Sequence, residues 1–309
     1  MLFSQKLPQS CLLLSNFQQF CLLSKHFLHW LRCSGVIGSL LLLPYGGSLF
    51  ICRSAFAQAV RSYSTARILA LAGAETCVTG CGCANANPAA LSVGRRMYAE
   101  MSGHSPFGMK ELTVCRLEIG RVHPGQGVAA DIGYMGFDQY QEGSASCRVA
   151  RLLWTRIALG AAWRYTWWHI VRYGQSGGHS LELGLLHQCS PSFSWGAVIK
   201  RPAIGKSVQT QPDAFCSWTI GCRWSAGQPA DCYLEYHRQT PWPARLRMAM
   251  EIKWKNILRL RWGWALEPSI LSLGFGIVQK KLRLDYGVSD HPDLGLTYAM
   301  TFCFCRETP

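Results

Sequence analysis

Three groups of residues in this 309-residue chain have the types and spacing for chemistry. Cys77, Cys81 and Cys83 are the first, since closely spaced thiolates can hold zinc. A structural zinc site needs four ligands, and no fourth stands at zinc-finger spacing in these Gly/Ala-rich surroundings, so no metal or other cofactor is expected. His169, His179 and His291 are the second group, with Ser176, Ser180, Asp290 and Asp293 near them. These are the types a hydrolase would use at an outer rim. His291-Pro292-Asp293 reads as a turn, and loop His, Ser and Asp are common without catalysis, so an enzyme is not expected. The third group is the largest: Arg116, Glu118, Arg148, Arg164, Glu182, Arg245, Arg247, Glu251, Arg259, Arg261, Arg283 and Asp285. Within each segment these charges are separated by even intervals. Two readings are open: a path for anions, or a neutralised network in which each charge is paired because isolated burial is costly. The interspersed acids favour the network.

Even spacing means that strands must position them. From Arg245 to Trp254, Leu246, Met248, Met250, Ile252 and Trp254 fall on one side, and Arg245, Arg247, Ala249, Glu251 and Lys253 on the other. The next segment repeats this, with Leu258, Leu260, Trp262 and Trp264 opposite Arg259, Arg261 and Gly263. A period of two is the signature of a strand, whose successive side chains point to opposite faces. A large aromatic apolar face opposite an Arg/Glu/Gly/Ser face fits lipid outside and a polar lumen inside.

Composition agrees. Only 16% of residues are charged, against about 25% in ordinary soluble proteins, while 49% are hydrophobic. In the repeat region that apolar content occupies alternate positions rather than one continuous spanning helix. The net charge of +14 raises nucleic-acid binding, but there is no basic run and most Arg residues stand singly on strands, so no nucleic acid is expected. The 15 cysteines are irregularly spaced and odd in number, which argues against a disulfide framework. At lipid-facing positions such as Cys216 and Cys222 they act as small hydrophobes.

The chain opens with an address. Lys25, His26 and Arg32 precede an apolar stretch from Val36 to Ile51, and Ser54-Ala55-Phe56-Ala57-Gln58-Ala59 offers small residues for a signal peptidase. Residues 1–59 are expected to be a signal peptide with an over-long start, cut after Ala57 or Ala59. Pro44, Gly46 and Gly47 interrupt the run too often for a spanning helix of about 20 residues.

Turn residues then delimit about 14 strands, each roughly ten residues long, beginning near Arg95, Leu112, Gly127, Ser144, Arg156, Ser180, Ser192, Phe215, Asp231, Ala244, Ile257, Ile270, Leu282 and Gly295. The second, fourth, tenth and twelfth connections are tight; the fifth (Trp167 to His179) and seventh (Arg201 to Ala214) are the longest. Short periplasmic turns alternating with longer extracellular loops are a feature of outer-membrane barrels. Trp163, Trp167, Trp168, Trp218, Trp224, Trp254 and Trp264 are candidates for the interfacial girdles. The fold class expected is therefore all-β, a transmembrane antiparallel barrel with a short N-terminal luminal segment. Residues 60–92 form that segment, 93–305 the barrel and 306–309 a tail.

Two stretches resemble a known family. Ala66-Arg67-Ile68-Leu69-Ala70-Leu71-Ala72-Gly73-Ala74, followed by Ala84-Asn85-Ala86-Asn87-Pro88-Ala89-Ala90-Leu91, is similar to the N-terminal phrases of the long-chain fatty-acid transporter superfamily and its PorV/PorQ relatives. Leu282 to Tyr286 and His291 to Thr297 look like the closing hairpin of PorV/PorQ proteins, and Phe137 to Tyr140 fits a phrase after their third strand. The cysteines at 77, 81 and 83 and Tyr298 depart from that pattern. The resemblance implies a Gram-negative outer-membrane barrel of 14 strands, with Asn85, Asn87 and Pro88 in a segment inside or beneath the lumen.

It also implies two roles. One is reception or shuttling of secreted proteins with type IX secretion partners, which compact loops suit. The alternative is a channel for hydrophobic or small solutes, as in the fatty-acid transporters. The first is expected here, because the chain left after cleavage looks short for a transporter with a large hatch and long outer loops. In either case the surrounding partner is outer-membrane lipid.

Overall fold

The computed structural model describes residues 65–204 and 216–306, apart from Gly82, Ala84, Arg95, Ala226, Gln228, Pro241 and Asn256. The expected signal peptide and its cleavage site lie outside the described residues, as does most of the seventh connection.

Fourteen antiparallel strands close into one barrel. They are β1 (Arg96–Ser105), β2 (Val114–His123), β3 (Gln126–Phe137), β4 (Tyr140–Trp154), β5 (Ile157–Ile170), β6 (Gly174–Gln188), β7 (Phe193–Ile204), β8 (Ser217–Ser225), β9 (Ala230–Gln239), β10 (Arg245–Trp254), β11 (Leu258–Ala265), β12 (Ile270–Gln279), β13 (Leu282–His291) and β14 (Gly295–Arg306). Each pairs with its sequence neighbours, and β1 closes on β14 from Met97↔Arg306 to Ser105↔Tyr298. Closure leaves no unpaired strand edge, the condition for backbone to cross a bilayer. No helix among the described residues is long and apolar enough to do so.

Alternation sorts the two faces as lipid and lumen require. On β3, Val128, Ile132 and Tyr134 are exposed on the outside, while Ala129, Asp131 and Met135 are buried inside. On β14, Met300, Phe302 and Phe304 face out, and Thr301 and Cys303 face in. Outward tryptophans mark both rims: Trp167, Trp218 and Trp264 near one end, Trp154 and Trp254 near the other. Trp168 differs from expectation, since its place on β5 turns it to the inner face.

The long fifth loop is not there. β5 runs on to Ile170 and β6 starts at Gly174, so His169 pairs with Gln175 and Tyr165 with His179. Trp167, Trp168 and His169 favour a strand, and Gly177 and Gly178 sit within the ladder rather than breaking it. Likewise β4 starts at Tyr140 rather than Ser144, leaving only Asp138 and Gln139 as the third turn. Loop length therefore follows strand parity less closely than the sequence suggests. β14 also takes in Arg306, shortening the expected tail.

Candidate functional site: a plugged lumen

The interior is occupied by the chain's own segment ahead of β1. A short helix, α1 (Ala66–Ala70), leads to a turn at Ala72-Gly73, an irregular stretch and a 3-10 turn, Pro88–Ser92. Pro88 sits at the first position of that turn, where its missing N–H is harmless. The Asn87 side chain caps it, accepting from Ala89 N at 2.9 Å and donating to Thr76 O and Leu185 O.

A track of inward glycines makes room for this segment. A Cβ on Gly160 would strike the backbone of Pro88 and Ala89; on Gly127, the carbonyl of Leu91; on Gly184, Asn87. Across the barrel, a Cβ on Gly263 would come within 2.6 Å of Leu71 and Ala72 backbone, and one on Gly287 within 2.5 Å of Ala66 O. The wall is thinnest where the segment lies closest. Leu71, Val78 and Ala90 complete the packing with Tyr233 and Ala249 of the wall.

The charged residues fall into two clusters. On β2–β6, Arg148 is fully buried; it donates to Glu118 at 3.0 Å, to Asp131 at 2.5 Å and to Asn85 of the plug at 2.9 Å. Arg116 pairs with Asp131 at 3.3 Å and Arg164 with Glu182 at 3.5 Å, and Arg164 also donates to Asn85 at 2.8 Å. Three arginines face three carboxylates here. On β10–β13, Glu251 accepts from Arg67 of α1 through Nε at 3.0 Å and Nη2 at 2.9 Å, and from Arg261 at 2.5 Å. Arg261 and Arg283 both reach Asp285, at 2.8 Å and 2.6 Å. Arg259 lines a polar cavity of about 200 Å³ beside them, with Arg67, Arg223, Lys253 and Asp231. This half carries more cations than acids.

Arg247 donates to Gly73 O at 2.7 Å and lies 3.9 Å from Glu235, whereas Arg245, opposite His237, joins neither cluster. Sequence reasoning missed Arg67, Asp131, Glu75, Thr76 and Glu235. Glu235 accepts from the backbone N–H groups of Glu75 and Thr76 at 2.8 and 2.6 Å, and Lys200 donates to Glu75 at 2.5 Å. Asp131 and Glu235 stand in phase with the inward residues of β3 and β9, so parity alone could have found them.

The histidines do not gather into a constellation. His179 faces outward and stacks on Trp163, while Ser180 faces inward; His291 ends β13. A groove of about 740 Å³ also runs along the outer wall, lined by Val128, Val149, Leu159 and Leu183 and backed by Gly127, Gly160 and Gly184. It is apolar, and it lies over the part of the wall that seats the 3-10 turn.

No protein-family model matches the sequence, and no curated protein does either. Solved structures do match. The Ralstonia pickettii toluene transporter TbuX aligns over 81% of this chain and 99% of its own, at a TM-score of 0.62 and 11% identity. The P. putida toluene transporter TodX aligns over 80% and 99%, with a TM-score of 0.59 and 11% identity. A Pseudomonas aeruginosa FadL homologue aligns over 78% and 97%, with a TM-score of 0.54 and 8% identity. Nearly the whole of each of these three proteins is matched, so shortness of chain does not set this barrel apart from them. The fold is that of a closed 14-stranded transmembrane barrel, similar to those of these solved structures.

Proposed function

We propose that the protein is a bacterial outer-membrane channel for small hydrophobic solutes, gated by its own luminal segment. The observation that carries this is the closed barrel with residues 65–92 seated on inward glycines and ion-paired to the wall, in a fold shared with toluene transporters. Buried pairing of this kind is costly to break, so it sets how often the plug opens. Compact loops would also suit the reception of secreted proteins, but the similar solved structures include toluene transporters, which favours the solute channel.

The test uses an intact Gram-negative host, whose lipopolysaccharide leaflet slows toluene. Cells displaying the protein should take up dilute labelled toluene faster than cells with an empty vector, and a variant lacking residues 66–91 should lose selectivity against sugars. Equal toluene uptake with and without the protein would overturn the reading.

A further inference from the structure

Three thiols far apart in sequence meet at one point of the plug–wall contact. Cys81 belongs to the luminal segment between α1 and the 3-10 turn; Cys303 and Cys305 are both inward residues of β14, opposite Glu100 and Tyr98 of β1. Cys81 and Cys303 are buried together in one cluster with Leu91, Tyr98 and Val122, and Cys305 packs against it half-buried. Cys303 shares the buried cluster with Cys81, and both wall thiols bear on the ionisation of Cys81. The flanking backbone is pinned: Arg96 donates to Gly80 O at 3.0 Å and Arg283 to Cys81 O at 3.5 Å.

From this placement we propose that Cys81 and the last strand form a redox latch, a disulfide entered through Cys305 that locks the luminal segment to the barrel wall. Its effect on flux rests on the channel reading above; the cross-link itself does not. An outer-membrane lumen opens on an oxidising compartment, where disulfides form and persist. Cys305 is the more accessible wall thiol and meets the incoming disulfide first. Its thiolate attacks one sulfur, releasing one thiol and leaving a mixed disulfide on Cys305. Cys81 then attacks the Cys305 sulfur and expels the second thiol. Two protons and two electrons leave the protein, and one low-molecular-weight or protein disulfide is reduced to two thiols. Cys81 is suited to the second step. Thiol donation from Cys303 and Cys305, with the cations Arg96 and Arg283 near it, holds its pKa below the ordinary thiol value against the opposing effect of burial, which favours the attacking thiolate. Cys303 remains as a third thiol able to exchange, so the link can move between two adjacent inward positions of the same strand without freeing the segment.

The test is made on the purified full-length barrel treated with oxidised glutathione, then alkylated and digested with trypsin. The expected product is a linked pair of peptides, 68–95 with 284–306, lighter by two hydrogens than the sum of the separate peptides. Cys81 and one of Cys303 or Cys305 should lose alkylation together, with no glutathione left on either. C81S should abolish the link, although Cys77 and Cys83 remain on the same peptide. Reduction should increase amide exchange of residues 68–91 in the wild type and leave C81S unchanged. Full alkylation of Cys81 after oxidation, a glutathione adduct that persists at Cys305, or a link that survives C81S would each overturn the latch.

Discussion

Replacing Arg67 by Met removes the cation that ties α1 to the wall while keeping most of the side chain's volume. Two hydrogen bonds to Glu251 go with it, through Nε and Nη2, and a third to Thr79 O at 2.6 Å. Breaking one side of a buried ion pair costs about 3–5 kcal/mol. Glu251 keeps Arg261 at 2.5 Å, so it is not stranded, and the lower end of that range, about 3 kcal/mol, applies. Every 1.4 kcal/mol is a tenfold change, so opening of the segment should become about 100-fold more frequent. Hydrogen exchange followed by mass spectrometry reads this directly. Amides at Gly73 and Ala74, bonded to Ile68 O and Leu71 O, should lose protection by about that factor, while β5 and β6 stay protected.

A double-mutant cycle separates the pair from general loosening. Glu251→Gln should weaken protection as well, and the double variant should fall short of the sum of the two, because each single change already removes the same contact. Protection in Arg67→Met equal to that of the wild type, or strictly additive losses, would refute the claim that this pair holds the plug.

Other expectations follow from the same geometry. Gly160→Leu should push Pro88 and Ala89 off the wall and raise single-channel conductance, whereas Gly103→Ala, with nothing within 4 Å of the added carbon, should leave it unchanged. Met250→Arg should destabilise refolding into bilayers by roughly 2–4 kcal/mol if the residue lies near the midplane, and a variant as stable as the wild type would show the outward register of β10 to be wrong. Burial raises the Glu75 carboxyl, but Lys200 and Arg247 outweigh it and hold its pKa below the ordinary 4.5. A carboxylate depressed in the folded state stabilises above its unfolded pKa and loses that contribution as pH falls through the folded one, so protection of residues 75–76 should drop on acidification below about pH 4.5. Mass spectrometry of the mature protein should find its first residue just after Ala57 or Ala59; an intact residue 1 would rule out the signal peptide.

The barrel was legible because alternation is local: each strand announces its own two faces, with lipid on one side and the packed lumen on the other. Thus Arg245 to Trp254 carries its full pattern in ten consecutive letters, and β10 has those bounds. What the sequence hid is what depends on distance. Nothing near Arg67 names Glu251 as its partner, and nothing near Cys81 points to Cys303. The extent of β5 and β6 was hidden for another reason. Gly174 to Gly178 looks like a loop to any reading based on backbone entropy, yet Gly177 lies beneath the Tyr165 ring, where a side chain would collide with the phenol. Glycine is there for close approach, not for turning.

The same distinction explains the glycines of the lumen and ties seat to function. An empty polar lumen would need no inward glycine, since water fills any shape, and larger polar residues would cost nothing. Gly127, Gly160, Gly184, Gly263 and Gly287 instead trace the path of one specific segment from the Leu91 end to Ala66. Strand glycine lacks side-chain packing and weakens the ladder that holds it. A barrel that accepts that penalty at five inward positions is shaped around its plug. The two charge clusters then divide the work. The balanced set around Arg148 touches the segment through Asn85, an amide that leaves without stranding a charge, so that side should release first. The side around Glu251 holds the segment by a full ion pair with Arg67, so it should release last and serve as the hinge. Exchange at Asn87 should accordingly exceed exchange at Gly73 in the wild type, and the reverse order would place the hinge at the 3-10 turn instead.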